Sequence, residues 1–208
     1  WGFKKKKQKK VVLCFLGDGA TSKGDFHEAV NFSGVFKTPN IFVIENNQYA
    51  ISVPLKKQTA SSTLAQKAVA YGIEGIRVDG TRLEEVYEAI CEARKKVLEG
   101  KPILIEAITY RLGNHTTADD ASKYRSKEEV ETAMKKDPVP LLKNELIERK
   151  IWNENKEKQL VKKLALVLER AVRKFESLKG MDPLDIFRFT YQEMTPALKK
   201  QSGILGNG

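Results

Sequence analysis

Hydrophobic residues first gather over positions 11–16. This short unbroken run, bounded by lysines and Gly17, predicts a buried strand. Phe26, Ala29, Val30, Ser33 and Val35 then recur at helical spacing, with Ser22 and Asp25 placed as a capping box and Thr38-Pro39-Asn40 as the stop. A second buried strand is expected over 41–44, and a polar, loop-like stretch over 46–60. A helix around 63–71 and a strand over 75–78 follow. Thr81 and Glu84 read as the capping box of a long amphipathic helix. Leu83, Val86, Tyr87, Ile90, Val97 and Leu98 share its apolar face, and Gly100 ends it. The fourth strand is expected over 103–108 and a long loop over 110–125. The remainder reads as helices. One is capped by Ser126 with Glu129, and one is opened by Asp137-Pro138. A third carries Leu160, Leu164, Val167, Leu168, Ala171, Phe175 and Leu178, and a short last one starts at Asp182-Pro183.

Strands alternating with helices predict an α/β fold, an open, mainly parallel sheet with helices on both faces, followed by a helical C-terminal tail. The expected organisation is an α/β core over 1–125, a helical extension over 126–198 packed on the same domain, and a flexible Gly- and Asn-rich tail over 199–208. The chain starts at Trp1 rather than at a methionine, so part of the core is expected to lie upstream of it.

Composition narrows the function classes. Hydrophobic residues make up 41% of the 208, enough to exclude a disordered chain. The apolar run at 11–16 falls far short of the roughly 20 residues of a membrane span, so no membrane partner is expected. The basic stretch 4–10 is followed by too few apolar residues for a signal peptide. Cys14 and Cys91 lack metal-ligand spacing and read as buried free thiols in a reducing cytoplasm. The net charge is +10, from 37 basic and 27 acidic residues, mostly interleaved along solvated helix faces. The block over 4–10 has no stacking aromatic motif or recognition helix beside it. It reads as an exposed connection, and no nucleic-acid partner is expected.

In an open parallel sheet, ligands bind outside the carboxyl ends of the strands. Three polar features fall there: Asp18, the pair Asn46-Asn47, and the loop holding His115. Gly17-Asp18-Gly19 alone is only a turn. Consecutive parallel strands, however, bring Asp18 and Asn47 to one sheet edge, where both offer hard oxygens. Magnesium takes near-octahedral oxygen coordination, with one or two carboxylates and phosphate oxygens. Asp18, the side-chain oxygen of Asn47 and one backbone carbonyl would supply three protein ligands, and a diphosphate two more. A helix starting near Ser22 would aim its positive end at the same place. His27, on the first helix, reads as structural.

Gly17-Asp18-Gly19 with Asn46-Asn47, separated by 26 residues, resembles the motif of thiamine-diphosphate enzymes. More narrowly, GDGATSKGDFHEAVNFSGVF, ENNQYAISVP, GIRVDG, LIEAITYRLGNHTTADD and KYR resemble the alpha subunit of the decarboxylating component of two-chain 2-oxoacid dehydrogenases. The resemblance runs over most of the chain, from about 11 to 198. It implies thiamine diphosphate and magnesium as cofactors, with Asp18, Asn47 and the backbone carbonyl of Tyr49 as metal ligands. It further implies that Gly19 and Ala20 contact the diphosphate, and that His115 reaches the cofactor and acts in catalysis. Thr116 stands where some relatives carry a phosphorylated serine. The implied reaction is oxidative decarboxylation of a 2-oxoacid, with acyl transfer to a lipoyl carrier. The implied partners are a beta subunit, in a heterotetramer, and a lipoyl acyltransferase component. Pyruvate is the expected substrate, with branched-chain 2-oxoacids and acetoin as alternatives. Other readings left open are a transketolase-like or acetolactate-synthase-like enzyme and a non-catalytic fragment of the same fold.

Overall fold

The structure, a computed structural model, describes residues 1–205. The chain forms two units, one over Trp1–Ile151 and a second beginning at Trp152. In the first unit, a short helix α1 (Gly2–Lys5) precedes β1 (Val12–Gly17), α2 (Gly24–Phe36) and β2 (Asn40–Asn46). A small antiparallel hairpin, β3 (Tyr49–Ala50) with β4 (Val53–Pro54), interrupts the polar stretch expected as loop. Then come β5 (Glu74–Asp79), α3 (Leu83–Leu98), β6 (Ile103–Ile108), α4 (Lys127–Met134) and α5 (Pro138–Glu148). The second unit holds α6 (Glu154–Glu176), α7 (Asp185–Arg188) and α8 (Pro196–Leu205). The unit boundary thus falls after α5. The tail expected over 199–208 overlaps α8 up to Leu205, and its last three residues lie outside the described residues.

The four long strands make the expected parallel sheet, in the order β1-β2-β6-β5. Side chains alternate across it, and each set finds its own layer. Phe42, Ile44 and Leu104 pack with Phe26 and Val30 of α2 and with Leu64, Ala65 and Ala68 on one face. Ile41, Val43, Ile103 and Ile105 pack with Ala93 and Val97 of α3 on the other. The two middle strands are covered on both sides, which accounts for their unbroken apolar runs. β1 is an outer strand, paired only with β2 among the described residues. Cys14 and Leu16 turn to the α2 layer, while Leu13 and Phe15 are 45% and 64% exposed.

Local departures from the expected elements have local causes. Ser22 does not cap α2. Residues Asp18–Ser22 wind as a 3-10 turn directly off β1, closed by the Thr21 hydroxyl donating to the Asp18 carbonyl at 2.8 Å, and α2 starts only at Gly24. Thr81 cannot cap α3, because its N–H and hydroxyl both donate to Asp79 Oδ1 (2.9 and 2.7 Å). The helix expected around 63–71 is a 3-10 segment, Ala65–Tyr71. By contrast, Ser126 accepts from the Glu129 N–H, and Asp137 from the Val139 N–H with Pro138 opening α5, as the sequence predicts.

In the second unit, Asn153 caps α6 by accepting from the Lys156 N–H. No residue of α6 is buried, and Leu164, Leu168 and Phe175 stand exposed. Among the described residues no helix is long and apolar enough to cross a membrane. Of the basic stretch, Lys4 donates to the Phe36 and Lys37 carbonyls (2.7 and 3.4 Å), satisfying the last turn of α2, and Trp1 packs edge-on to Phe36.

Candidate functional site at the carboxyl ends of β1, β2 and β6

Register places three strand ends at one level. Gly17 pairs with Glu45, Glu45 with Ala107, and Asn46 with Ile108. The residues that follow, Asp18, Asn47 and the loop after β6, therefore leave the sheet side by side. The turn after β1 packs on the β3–β4 hairpin so closely that a Cβ on Gly19 would meet the Ala50 Cβ at 2.6 Å. Gly19 is thus required by packing. Gly17 is not constrained in this way: its backbone is ordinarily extended and its Cβ direction is open.

Asp18 is 1% exposed. Its Oδ2 accepts from Gln58 Nε2 at 2.7 Å, and the same amide also donates to the Val53 carbonyl at 2.9 Å, tying hairpin to turn. Among the described residues no cationic side chain pairs with this carboxylate. A buried anion without a counter-charge is costly, so the site suits a cation. Among the described residues Gln58 Oε1 has no hydrogen-bond partner, although it is buried. Lys67 donates to the Thr21 carbonyl and hydroxyl (2.9 and 2.8 Å), holding the turn from behind, and burial lowers its ammonium pKa.

After β2 the chain makes a tight polar turn. Asn46 is 0% exposed, and its Oδ1 accepts from the Gln48 N–H at 3.2 Å. Asn47 Oδ1 accepts from the Tyr49 N–H at 3.1 Å. Gln48 and Ile51 both lie in the left-handed region, with φ of 75° and 57°. That conformation is uncommon for side-chain-bearing residues and above all for a β-branched one, so the turn needs external support. Arg111, just after β6, supplies some of it by donating to the Ile51 carbonyl at 2.5 Å and the Tyr49 carbonyl at 3.4 Å. Glu129 of α4 supplies more, accepting from the phenols of Tyr49 (2.7 Å) and Tyr110 (2.8 Å).

His115 is exposed in the loop after β6. Its N–H donates to Asp119 Oδ2 at 2.8 Å, and Tyr124 donates to the same oxygen at 2.5 Å. Arg125 fastens the start of the loop by donating to the carbonyls of Arg111, Leu112 and Gly113. The structure joins this loop to the Asn47–Tyr49 turn through Arg111 and Glu129, whereas among the described residues no hydrogen bond links the His115 ring to Asp18 or Asn47. His27 is occupied elsewhere, 2.5 Å from the Tyr71 hydroxyl. A cavity of about 620 Å³ opens nearby at the ends of β5 and β6, lined among others by Asp79, Ile108, Tyr110, Glu129 and Lys136. It includes none of Asp18, Asn47 and His115.

Burial first, and then the hydrogen bond to Glu129, push the Tyr49 phenol up to about 12 from the ordinary 10.0. A folded-state value above the unfolded one means stability fully present below about pH 10 and lost as pH rises towards 12. In an ultraviolet titration Tyr49→Phe is expected to remove one late-ionising tyrosine and to flatten the loss of stability in that window. An unchanged late phase would contradict the assignment.

Among the described residues no group of three or more His, Cys, Asp or Glu is placed to hold a metal. Asp18 and the Asn47–Tyr49 turn nonetheless leave the same edge of the sheet and carry oxygens of the hard type that magnesium takes.

Residues 1–183 match the family described as dehydrogenase E1 component. The chain is 44% identical over 192 residues to a 3-methyl-2-oxobutanoate dehydrogenase subunit alpha of Mycobacterium tuberculosis, covering 92% of the chain and 52% of that protein. It is 41% identical over 203 residues to a pyruvate dehydrogenase E1 component subunit alpha of Staphylococcus epidermidis (97% and 55%). It is also 41% identical over 202 residues to its counterpart in Bacillus subtilis (96% and 54%). The chain spans about half the length of the curated relatives it matches.

Proposed function

The chain belongs to the dehydrogenase E1 component family, and from that premise we propose that it is the diphosphate- and magnesium-binding part of a 2-oxoacid dehydrogenase alpha subunit. The observation that carries the reading is the buried Asp18 carboxylate, without a cationic partner among the described residues, in a turn packed against the β3–β4 hairpin at the carboxyl ends of adjacent parallel strands. In this reading Asp18, Asn47 Oδ1 and the Tyr49 carbonyl hold magnesium, and the backbone at Gly19 and Ala20 holds the diphosphate. His115, exposed on a loop fastened at its start, reaches the cofactor and the reacting centre. Thiamine diphosphate supplies the electron sink for decarboxylation when bound. What the chain contributes is a pre-built anchor that needs the diphosphate oxygens to complete it.

Pyruvate is the proposed substrate. The relatives' names point to both pyruvate and 3-methyl-2-oxobutanoate, and no side chain described above selects between them. The proposed partners are a beta subunit, which completes the cofactor site in a heterotetramer, and a lipoyl acyltransferase component. The bacterial sources of these relatives fit a cytoplasmic complex. The test is calorimetric titration of thiamine diphosphate with magnesium into the chain, alone and co-purified with its beta subunit. Magnesium-dependent binding that the beta subunit strengthens is expected. A folded complex that binds no thiamine diphosphate would sink the reading.

A further inference from the structure

The middle strand β6 carries one charged residue, Glu106, which is 0% exposed between two apolar layers. It lies level with Ile44 of β2 and Arg77 of β5. Its two oxygens have separate partners. Oε2 accepts from the Ala65 N–H at 3.0 Å and lies 3.9 Å from Arg77 Nε. Oε1 accepts from Asn46 Nδ2 at 2.7 Å. That second bond decides how the Asn46 amide is turned. With its amino group spent on Glu106, the carbonyl end must face the turn, where Oδ1 accepts from the backbone N–H and the Nε2 of Gln48 (3.2 and 3.1 Å). These bonds hold Gln48 in its left-handed conformation, and Gln48 separates Asn47 from Tyr49. An apolar strand residue at 106 would leave the Asn46 amino group buried and unsatisfied, free only to swing the amide away.

We infer that Glu106 is a positioning residue for the cation site, acting through Asn46 to fix the turn that presents Asn47 Oδ1 and the Tyr49 carbonyl. This rests on the magnesium-site reading above and extends it to a carboxylate that touches neither metal nor cofactor. The competing role is purely structural, with Glu106 fastening the Ala65–Tyr71 segment through the Ala65 N–H.

The test uses the chain in complex with its beta subunit, with thiamine diphosphate present. Manganese(II) serves as the probe, and free ion is followed by electron paramagnetic resonance. Four variants are compared with the parent: Glu106→Gln, Asn46→Ala, both together, and Asp18→Ala. Thermal melting without metal is recorded for each. Glu106→Gln and Asn46→Ala are each expected to weaken manganese binding about 10–100-fold, the usual effect of removing an outer-shell partner. The double variant should be no weaker than the weaker single one, since both act on one path. If Glu106→Gln lowers only the melting temperature while Asp18→Ala loses the ion, the positioning role is overturned and the structural one stands. Additive losses would also overturn the path through Asn46. If Asp18→Ala binds manganese normally, the magnesium-site reading itself fails. Should Glu106→Gln not fold, Asn46→Ala decides alone, because it leaves the Glu106–Ala65 bond intact: unchanged affinity overturns the inference.

Discussion

Asp18→Ala is expected to weaken magnesium binding in the presence of thiamine diphosphate on the order of 100-fold. It should leave the metal-free chain as stable as before, or slightly more so. The first effect follows from losing the one carboxylate of the set, since a contact to a charged group is worth about 1.5–3 kcal/mol and each 1.4 kcal/mol is a factor of ten. The second follows from what Asp18 does without a cation. It is a buried carboxylate whose side-chain partner is the amide of Gln58, which retains the Val53 carbonyl when the carboxylate is gone. The Thr21 hydroxyl bonds the Asp18 backbone carbonyl, which alanine keeps. Calorimetry with magnesium, paired with a melting curve of the metal-free protein, checks both halves. A variant that loses affinity only because it unfolds would contradict the argument.

Gly75→Ala is expected to destabilise the first unit by about 3 kcal/mol, the upper end for overpacking. It should also loosen the proposed cation site at a distance. A Cβ on Gly75 would stand 2.1 Å from the Ala65 carbonyl oxygen and 2.9 Å from the Ala68 Cβ. The nearest atom is backbone, so relief requires the Ala65–Tyr71 segment to move off the sheet. Ala65 donates its N–H to Glu106, so the shift would reach the Asn46 amide. Equilibrium denaturation should show a lowered midpoint with an unchanged slope, and an undiminished midpoint would show that the segment yields without cost.

The strands were legible because apolar runs bounded by turn residues have few other uses, and residues 103–108 appear as β6 with the same limits. The place of Asp18 and Asn47 at neighbouring strand ends was legible, and in a parallel sheet that place makes them candidates. The distinction between 3-10 and α-helix over Ala65–Tyr71 was not, since so short a segment shows no periodicity that separates them. Gln58, Lys67, Arg111 and Glu129 were missed for a different reason. Each acts on a residue brought close only by the fold, as Glu129 does across 80 positions to Tyr49. Glu106 did leave a mark, a lone charge within the apolar run of 103–108, and a strand covered on both faces cannot hold one idly. The apolar positions of α6 formed a clear helical stripe, yet they are exposed, because amphipathic spacing states what a helix can cover and not what covers it.

The outer strand β1 has a consequence for the behaviour of the chain in solution. Among the described residues no strand pairs with its outer side, and this ladder, with the exposed Leu13 and Phe15 beside it, is a template on which another extended backbone can dock edge to edge. Six lysines lie just upstream, at positions 4–7, 9 and 10, and they act as gatekeepers that make two such edges repel. The protection is colloidal rather than structural. It weakens as salt shortens the screening length to about 8 Å at physiological ionic strength and less above it, so crowding and salt, rather than heat, are the conditions under which this edge matters most.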